Sequence, residues 1–133
     1  MRNDRNALEV LTRPECLRLL STVRIGRLGI SIGALPVILP VRFALLDDTI
    51  AFRCAPGSKL DSAVAGAVVA FEADHIDQAA EGGWSVLAQG VAQAVDDARR
   101  LADLQALELR PWGSGGDDRY VRIETQIISG RRL

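Results

Sequence analysis

PVILPVRFALLDDTIAFRCAPGSKL, residues Pro36 to Leu60, is the stretch on which the fold of this chain turns. Val37, Leu39, Val41, Phe43 and Leu45 recur at period two, as on one face of a strand. After a break at Asp47-Asp48 the pattern resumes through Ile50, Phe52 and Cys54, with Ala51 and Arg53 on the other side. Two alternating runs joined by such a turn spell a β-hairpin. Pro40 cannot donate to a ladder, so its strand is expected at an edge, at a bulge or beside a ligand. Behind Cys54 comes Ala55-Pro56-Gly57-Ser58-Lys59, opening a short helix that ends near Gly66. Glycine lets the backbone approach a ligand, serine adds a hydroxyl, lysine a point charge, and a helix start its positive end. That is an anion site in outline; on the residues alone, a turn with a solvated lysine reads equally well.

Working outward, Thr12-Arg13-Pro14-Glu15 has the form of a capping box with proline in the first turn, and Leu17, Leu19 and Leu20 continue it as a helix able to plug the open end of a sheet. Residues 24–32 read as a strand with Leu28, Ile30 and Ile32 on one face. Residues 67–73 read as a strand buried on much of both faces, and 74–83 as an acidic connection. Trp84 to Val95 is a long strand with Gly90 as a coiling point, and Asp96 is expected to cap a helix over 97–107 with Ala98, Leu101, Leu104 and Leu107 as its stripe. A strand from about Tyr120 to Ile128 closes the chain. Six strands joined mostly by short turns predict a mainly β fold with short helices, an antiparallel barrel rather than a doubly wound sheet. Residues 1–11 read as a flexible arm and 12–133 as one domain.

With 133 residues, 48% of them hydrophobic, and a formal net charge of −1, the chain suits a single core and lacks the basic excess that gripping nucleic acid requires. Cys16 and Cys54 have no metal-like spacing, which favours a reduced, cytoplasmic setting. Neither a secretory signal nor a run of the ~18 apolar residues a membrane span needs is found. His75 follows Asp74 in an acidic turn and reads as a surface residue; Trp84 and Trp112 read by default as core or interface aromatics, and residues 113–116 as a flexible connection. No catalytic side chain and no metal ligand is assigned.

The order of a capped helix, a G-R-L strand, P-V-x-x-P-V, F-R-C-A-P-G-S-K-L, V-A-F-E-A-D, G-W-S-V-L-x-x-G and a terminal Y-V-R-I-E-x-x-x-I-S-G-R-R resembles the pyridoxamine 5′-phosphate oxidase-like family, the FMN-binding split β-barrel group, over roughly Thr12 to Arg132. The resemblance implies a homodimer with two FMN sites between subunits. Val41, Arg42 and Phe43 would border the isoalloxazine, Arg53 and Cys54 would lead into the phosphate loop, and Ser58 and Lys59 would hold the phosphate. Trp84 and Gln89 would contribute across the dimer.

Two departures qualify that picture. Relatives commonly carry Thr or Ser where this chain has Cys54, and a thiol is the weaker donor. The basic residues that a second, substrate phosphate needs are also missing, so the vitamin-pathway reaction is not expected. Three functions remain: an FMN-dependent oxidoreductase acting on a small molecule, a deazaflavin-coenzyme-dependent reductase, and a non-catalytic dimeric binding protein that has lost the cofactor.

Overall fold

The computed structural model describes residues 8–107, 109 and 118–133, with the backbone alone for Lys59, Ser62 and Ala63. In chain order the elements are β1 (Glu9–Val10), α1 (Arg13–Leu20), β2 (Ile25–Ile32), β3 (Leu35–Arg42), β4 (Ala44–Leu46), β5 (Thr49–Cys54), α2 (Lys59–Val64), β6 (Val68–Asp77), β7 (Gly82–Ala94), α3 (Ala98–Ala106), β8 (Arg119–Ile123) and β9 (Ile127–Arg132). The strands form one antiparallel sheet in the order β3-β2-β6-β7-β8-β5-β4, with β9 pairing both β7 and β1. The two ends of that path, β3 and β4, are consecutive in the chain and separated only by Phe43. The sheet therefore curls until its edges meet at one residue, which is the split-barrel architecture. At the seam Phe43 N donates to Arg24 O (3.0 Å), outside either ladder.

Six strands are expected and nine segments are found, because two of the expected strands each serve two partners and the short β1 lies in the stretch read as an arm. The run 37–45 breaks at Phe43, where it leaves β2 for β5. The closing run is two strands: β8 pairs β5 and the end of β7, while β9 pairs the first half of β7. The change of partner on β7 falls at Gly90, the expected coiling point, where a Cβ would stand 2.9 Å from Glu124 O. The segment 74–83 is no loop either. Its two ends continue the β6–β7 ladder to Asp77↔Gly82 and leave a four-residue turn, residues 78–81, because main-chain pairing does not require an apolar sequence. Part of the stretch read as an arm is held in the fold: Glu9 and Val10 pair with Arg132 and Arg131, and Leu11 is buried.

The hairpin turn places Asp47 and Asp48 at φ 50° and 65°, the left-handed region that a two-residue hairpin turn needs and aspartate tolerates. Pro40 lies on the sheet edge, opposite Arg27, with its ladder-free side outward. The capping box at Thr12 forms as spelled, with Glu15 N donating to Thr12 Oγ1 and Thr12 N to Glu15 Oε1. The third helix starts one residue later than expected, with Asp97 rather than Asp96 as its cap.

Leu20, Leu28, Ile50, Phe52, Phe71 and Ile123 are fully enclosed at the centre of the barrel. A second cluster of Ala51, Val95, Leu104, Leu109 and Tyr120 lies on the other face of β5 and β8, so these strands are covered on both sides. Arg13 reaches from α1 to Thr125, donating to its carbonyl and hydroxyl, and Thr125 Oγ1 donates on to Asp48 O (2.6 Å). This chain ties the helix plug, the hairpin turn and the β8–β9 corner together. No helix among the described residues is long and apolar enough to cross a membrane.

Candidate functional site

A cleft of about 730 Å³ opens along the seam, within the range of small-molecule sites. Its inner wall is Phe43, Ala44 and Leu45; its rim carries Arg42 from β3 and Ser21, Val23 and Arg24 from the turn after α1. Leu107 and Leu109 close the far side. Phe43 meets Phe71 edge-on, ring centroids 4.7 Å apart, and that ring fits because position 26 is a glycine whose absent Cβ would lie 2.2 Å from Phe71 Cζ.

Arg53 builds the wall rather than the ligand shell. One terminal nitrogen donates to Leu109 O (2.9 Å), the other pairs with Asp118 at 3.6 Å, and the guanidinium lies over the Tyr120 ring at 5.4 Å. Its Nε is buried without a partner. Arg53, one residue before the end of β5, thereby clamps Leu109 and Asp118. Trp112 and residues 113–116 lie outside the described residues.

The loop after β5 is organised by Asp61, which the sequence reading passed over. Its carboxylate accepts from Gly57 N (2.8 Å) and from the Cys54 thiol (3.7 Å), and Arg119 pairs with it at 3.6 Å. Asp61 N donates to Ser58 Oγ (3.0 Å), and that hydroxyl donates to Ala55 O (2.7 Å). Ser58 is the helix cap, and the S-x-x-D spacing, close to a capping box, was the available signal. Cys54 faces inward as the alternation indicates; burial first, then the Asp61 charge, pushes its thiol up to about 12. A thiol held there is neither a nucleophile nor a strong donor. The amides of Lys59 and Leu60 lie in the first turn of α2, where backbone donors have no intrahelical acceptor.

The candidate residues therefore fall into three places. Val41, Arg42 and Phe43 are at the seam, Val41 and Phe43 buried and Arg42 exposed. Cys54, Ser58 and the backbone of Lys59 lie at the far end of β5. Since Ala44 pairs with Ala51, the loop begins three residues, roughly 10 Å, along the neighbouring strand from the cleft. Trp84 and Gln89 are elsewhere: Trp84 is buried, paired with His75 and Arg132, while Gln89 is exposed between Ala70 and Ile127 on the outer sheet face. His75 is exposed. Among the described residues no group of three or more His, Cys, Asp or Glu could hold a metal ion. Arg24, Leu107 and Leu109 were missed because nothing in their local sequence marks them; only curling the sheet brings them to the seam.

The sequence profile of the pyridoxamine 5′-phosphate oxidase family matches residues 12–132. The uncharacterized protein Rv0080 of Mycobacterium tuberculosis is 39% identical over 128 residues, 92% of this chain and 84% of its own. An FAD-binding protein from Mycobacterium smegmatis superposes with a TM-score of 0.82 at 39% identity, covering 93% of this chain and 96% of that one. An FAD-binding protein from Mesorhizobium loti has the same fold, with a TM-score of 0.76 at 24% identity over 95% of this chain and 98% of that one.

Proposed function

Because the chain belongs to the pyridoxamine 5′-phosphate oxidase family, we propose that it is a flavin-dependent oxidoreductase holding FMN at a homodimer interface and acting on a small molecule. The observation that carries this reading is the spacing of the seam cleft and the β5–α2 loop, roughly 10 Å apart on adjacent strands. A flavin mononucleotide is an apolar ring system and a phosphate joined by a short polyol, and the two places supply one environment each. The cleft offers Phe43, Leu45, Leu107 and Leu109 to a planar ring, with Arg42 at its edge. The loop offers the Lys59 and Leu60 amides and the charge of Lys59, with Gly57 N and Ser58 Oγ holding the turn in shape.

When bound, the flavin supplies the hydride chemistry; the protein binds it, orients it and tunes its surroundings. Arg42 beside the ring would favour the form carrying negative charge. The buried wall of Phe43 and Phe71 excludes water from one side of the cleft.

FAD is the second reading, favoured by the Mycobacterium smegmatis FAD-binding protein, whose identity extends over nearly the whole chain. Its extra adenylate would leave the same ring and first phosphate in place. Titration of the purified protein with riboflavin, FMN, FAD and the deazaflavin coenzyme, followed by fluorescence quenching, separates these. Lys59→Ala is expected to weaken FMN by about 1.5–3 kcal/mol, the range for a hydrogen bond to a charged group, and to leave riboflavin unchanged. Equal losses for both would show that the lysine acts through structure, and failure of every flavin to bind would leave the non-catalytic binding protein.

A further inference from the structure

We propose that two copies of this chain meet through the outer face of the sheet and that the Arg27–Glu72–Asp74 cluster set in that face takes up a proton as they do, so that the dimer tightens as pH falls. The proton uptake rests on the homodimer proposed above and on what the face is made of. The face is five strands wide, β3, β2, β6, β7 and β9, and about seven residues long, which at the usual strand spacing and rise is about 550 Å². Two copies laid face to face would cover about 1,100 Å², above the ~1,000 Å² that a stable interface needs.

Glu72 and Asp74 project into this face two residues apart on β6, and both accept from the same terminal nitrogen of Arg27 on β2, at 3.3 and 3.2 Å. Two carboxylates therefore share one guanidinium. Around them the face is largely apolar: Arg27 stands opposite Pro40 and Glu72 opposite Leu87, and the next row is Ile38, Gly29, Ala70, Gln89 and Ile127. Ser85 separates Asp74 from Arg131 on β9, and Arg42 on β3 stands opposite Ile25. In the single chain water still reaches both carboxylates, whose side chains are 35% and 25% exposed. Partial burial, then the hydrogen bond and like charge of Asp74, already raise Glu72 to about 7. A second copy over the face removes that water. Desolvation penalises the charged form of a carboxyl, and a proton on Glu72 leaves the cluster neutral. The dimer then holds more protons than two separate chains, and by linkage its dissociation constant falls as pH falls.

Sedimentation equilibrium of the full chain at pH 6 and pH 8 measures this. The parent is expected to dimerise about tenfold more tightly at pH 6, the effect of a modest further rise at Glu72 in each of two copies. Glu72→Gln, which keeps the cluster in its neutral form, should dimerise at both pH values as the parent does at pH 6. Asp74→Asn, which leaves one carboxylate to one guanidinium, should also lose the dependence, and the melting temperatures of both variants show that they fold. A pH dependence that survives Glu72→Gln would place the proton on another group, such as His75, and overturn the proposal. So would a parent dimer equally tight at both pH values, or one tighter at pH 8, where a cation of the other copy would be meeting the carboxylates. A parent that stays monomeric at both would overturn the homodimer itself and this linkage with it, whereas a dimer without the pH dependence would leave the homodimer standing.

Discussion

Among the described carboxylates Glu72 carries a large upward shift. It stands on β6 two residues from Asp74, on the same outward face, and both carboxylates reach Arg27 across β2, at 3.3 and 3.2 Å. Partial burial, then the hydrogen bond and like charge of Asp74, raise Glu72 to about 7, and Arg27 offsets only part of this. A glutamate carboxyl in the unfolded chain titrates at its ordinary 4.5, so between there and about 7 the folded protein holds the extra proton. Stability must then fall as pH rises through that window, with the loss complete above it. Glu72→Gln is expected to be more stable than the parent in urea at pH 8 and indistinguishable from it at pH 4. A gain of the same size at both pH values would show that the effect is packing, not titration.

At the scale of the element, the seam depends on the β2–β6 contact, where Gly26 faces inward beneath the Phe71 ring. A methyl group there would meet Phe71 Cζ at 2.2 Å and Glu72 O at 2.9 Å, so either the ring moves or the strands part. Overpacking of this kind costs about 1–3 kcal/mol. Because Phe71 supports Phe43 edge-on and Phe43 lines the cleft, Gly26→Ala should lower the melting temperature and weaken FMN together. A variant with parental melting and weakened FMN would mean that the ring relaxes into the cleft at no cost to the barrel.

For the whole molecule, the outer face of the sheet is the feature a lone chain leaves unexplained. Reading across β3, β2, β6, β7 and β9, one row is Ile38, Gly29, Ala70, Gln89 and Ile127, with Val68, Leu87 and Val91 beside it. Ile38, Val68 and Ile127 are 73%, 76% and 65% exposed. Single exposed apolar residues are ordinary, but a contiguous row on a sheet face is the mark of an interface. The proposed homodimer would cover this row and bring Gln89 against the partner. Light scattering should give twice the chain mass of 14.3 kDa, and Ile38→Lys with Ile127→Glu should give monomers that bind FMN poorly. Monomers from the parent chain at micromolar concentration would remove the dimer; a double variant that stays dimeric would place its interface elsewhere.

By itself the sequence determined the main strand runs, the hairpin turn and the capped plug, and narrowed Pro40 to an edge, a bulge or a ligand's side, of which the structure shows the edge. Each follows from chemistry within a few residues: alternation at period two, aspartates that accept positive φ, a threonine three residues from a glutamate, an amide that proline lacks. Alternation also placed Ile50 and Phe52 inward, whereas Cys54, at once in that row and at the entry to the loop, was settled only by the structure, which buries it. What it could not show is which strand lies beside which, since alternation tells a strand its buried side but not its neighbour. Two strands were therefore read whole where the barrel divides them between partners. The candidate site divides along the same line. Arg42 and Phe43 were named from their place in the hairpin and the family pattern, and the structure sets both on the seam cleft; that Arg53 grips Leu109, 56 residues away, and that Asp61 holds the loop through its own carboxylate, no local pattern showed. Arg24 lines the cleft for a tertiary reason: the β2–β3 ladder, which pairs Ile25 with Arg42, and the closing of the sheet at Phe43 together set the end of the helix plug beside the seam.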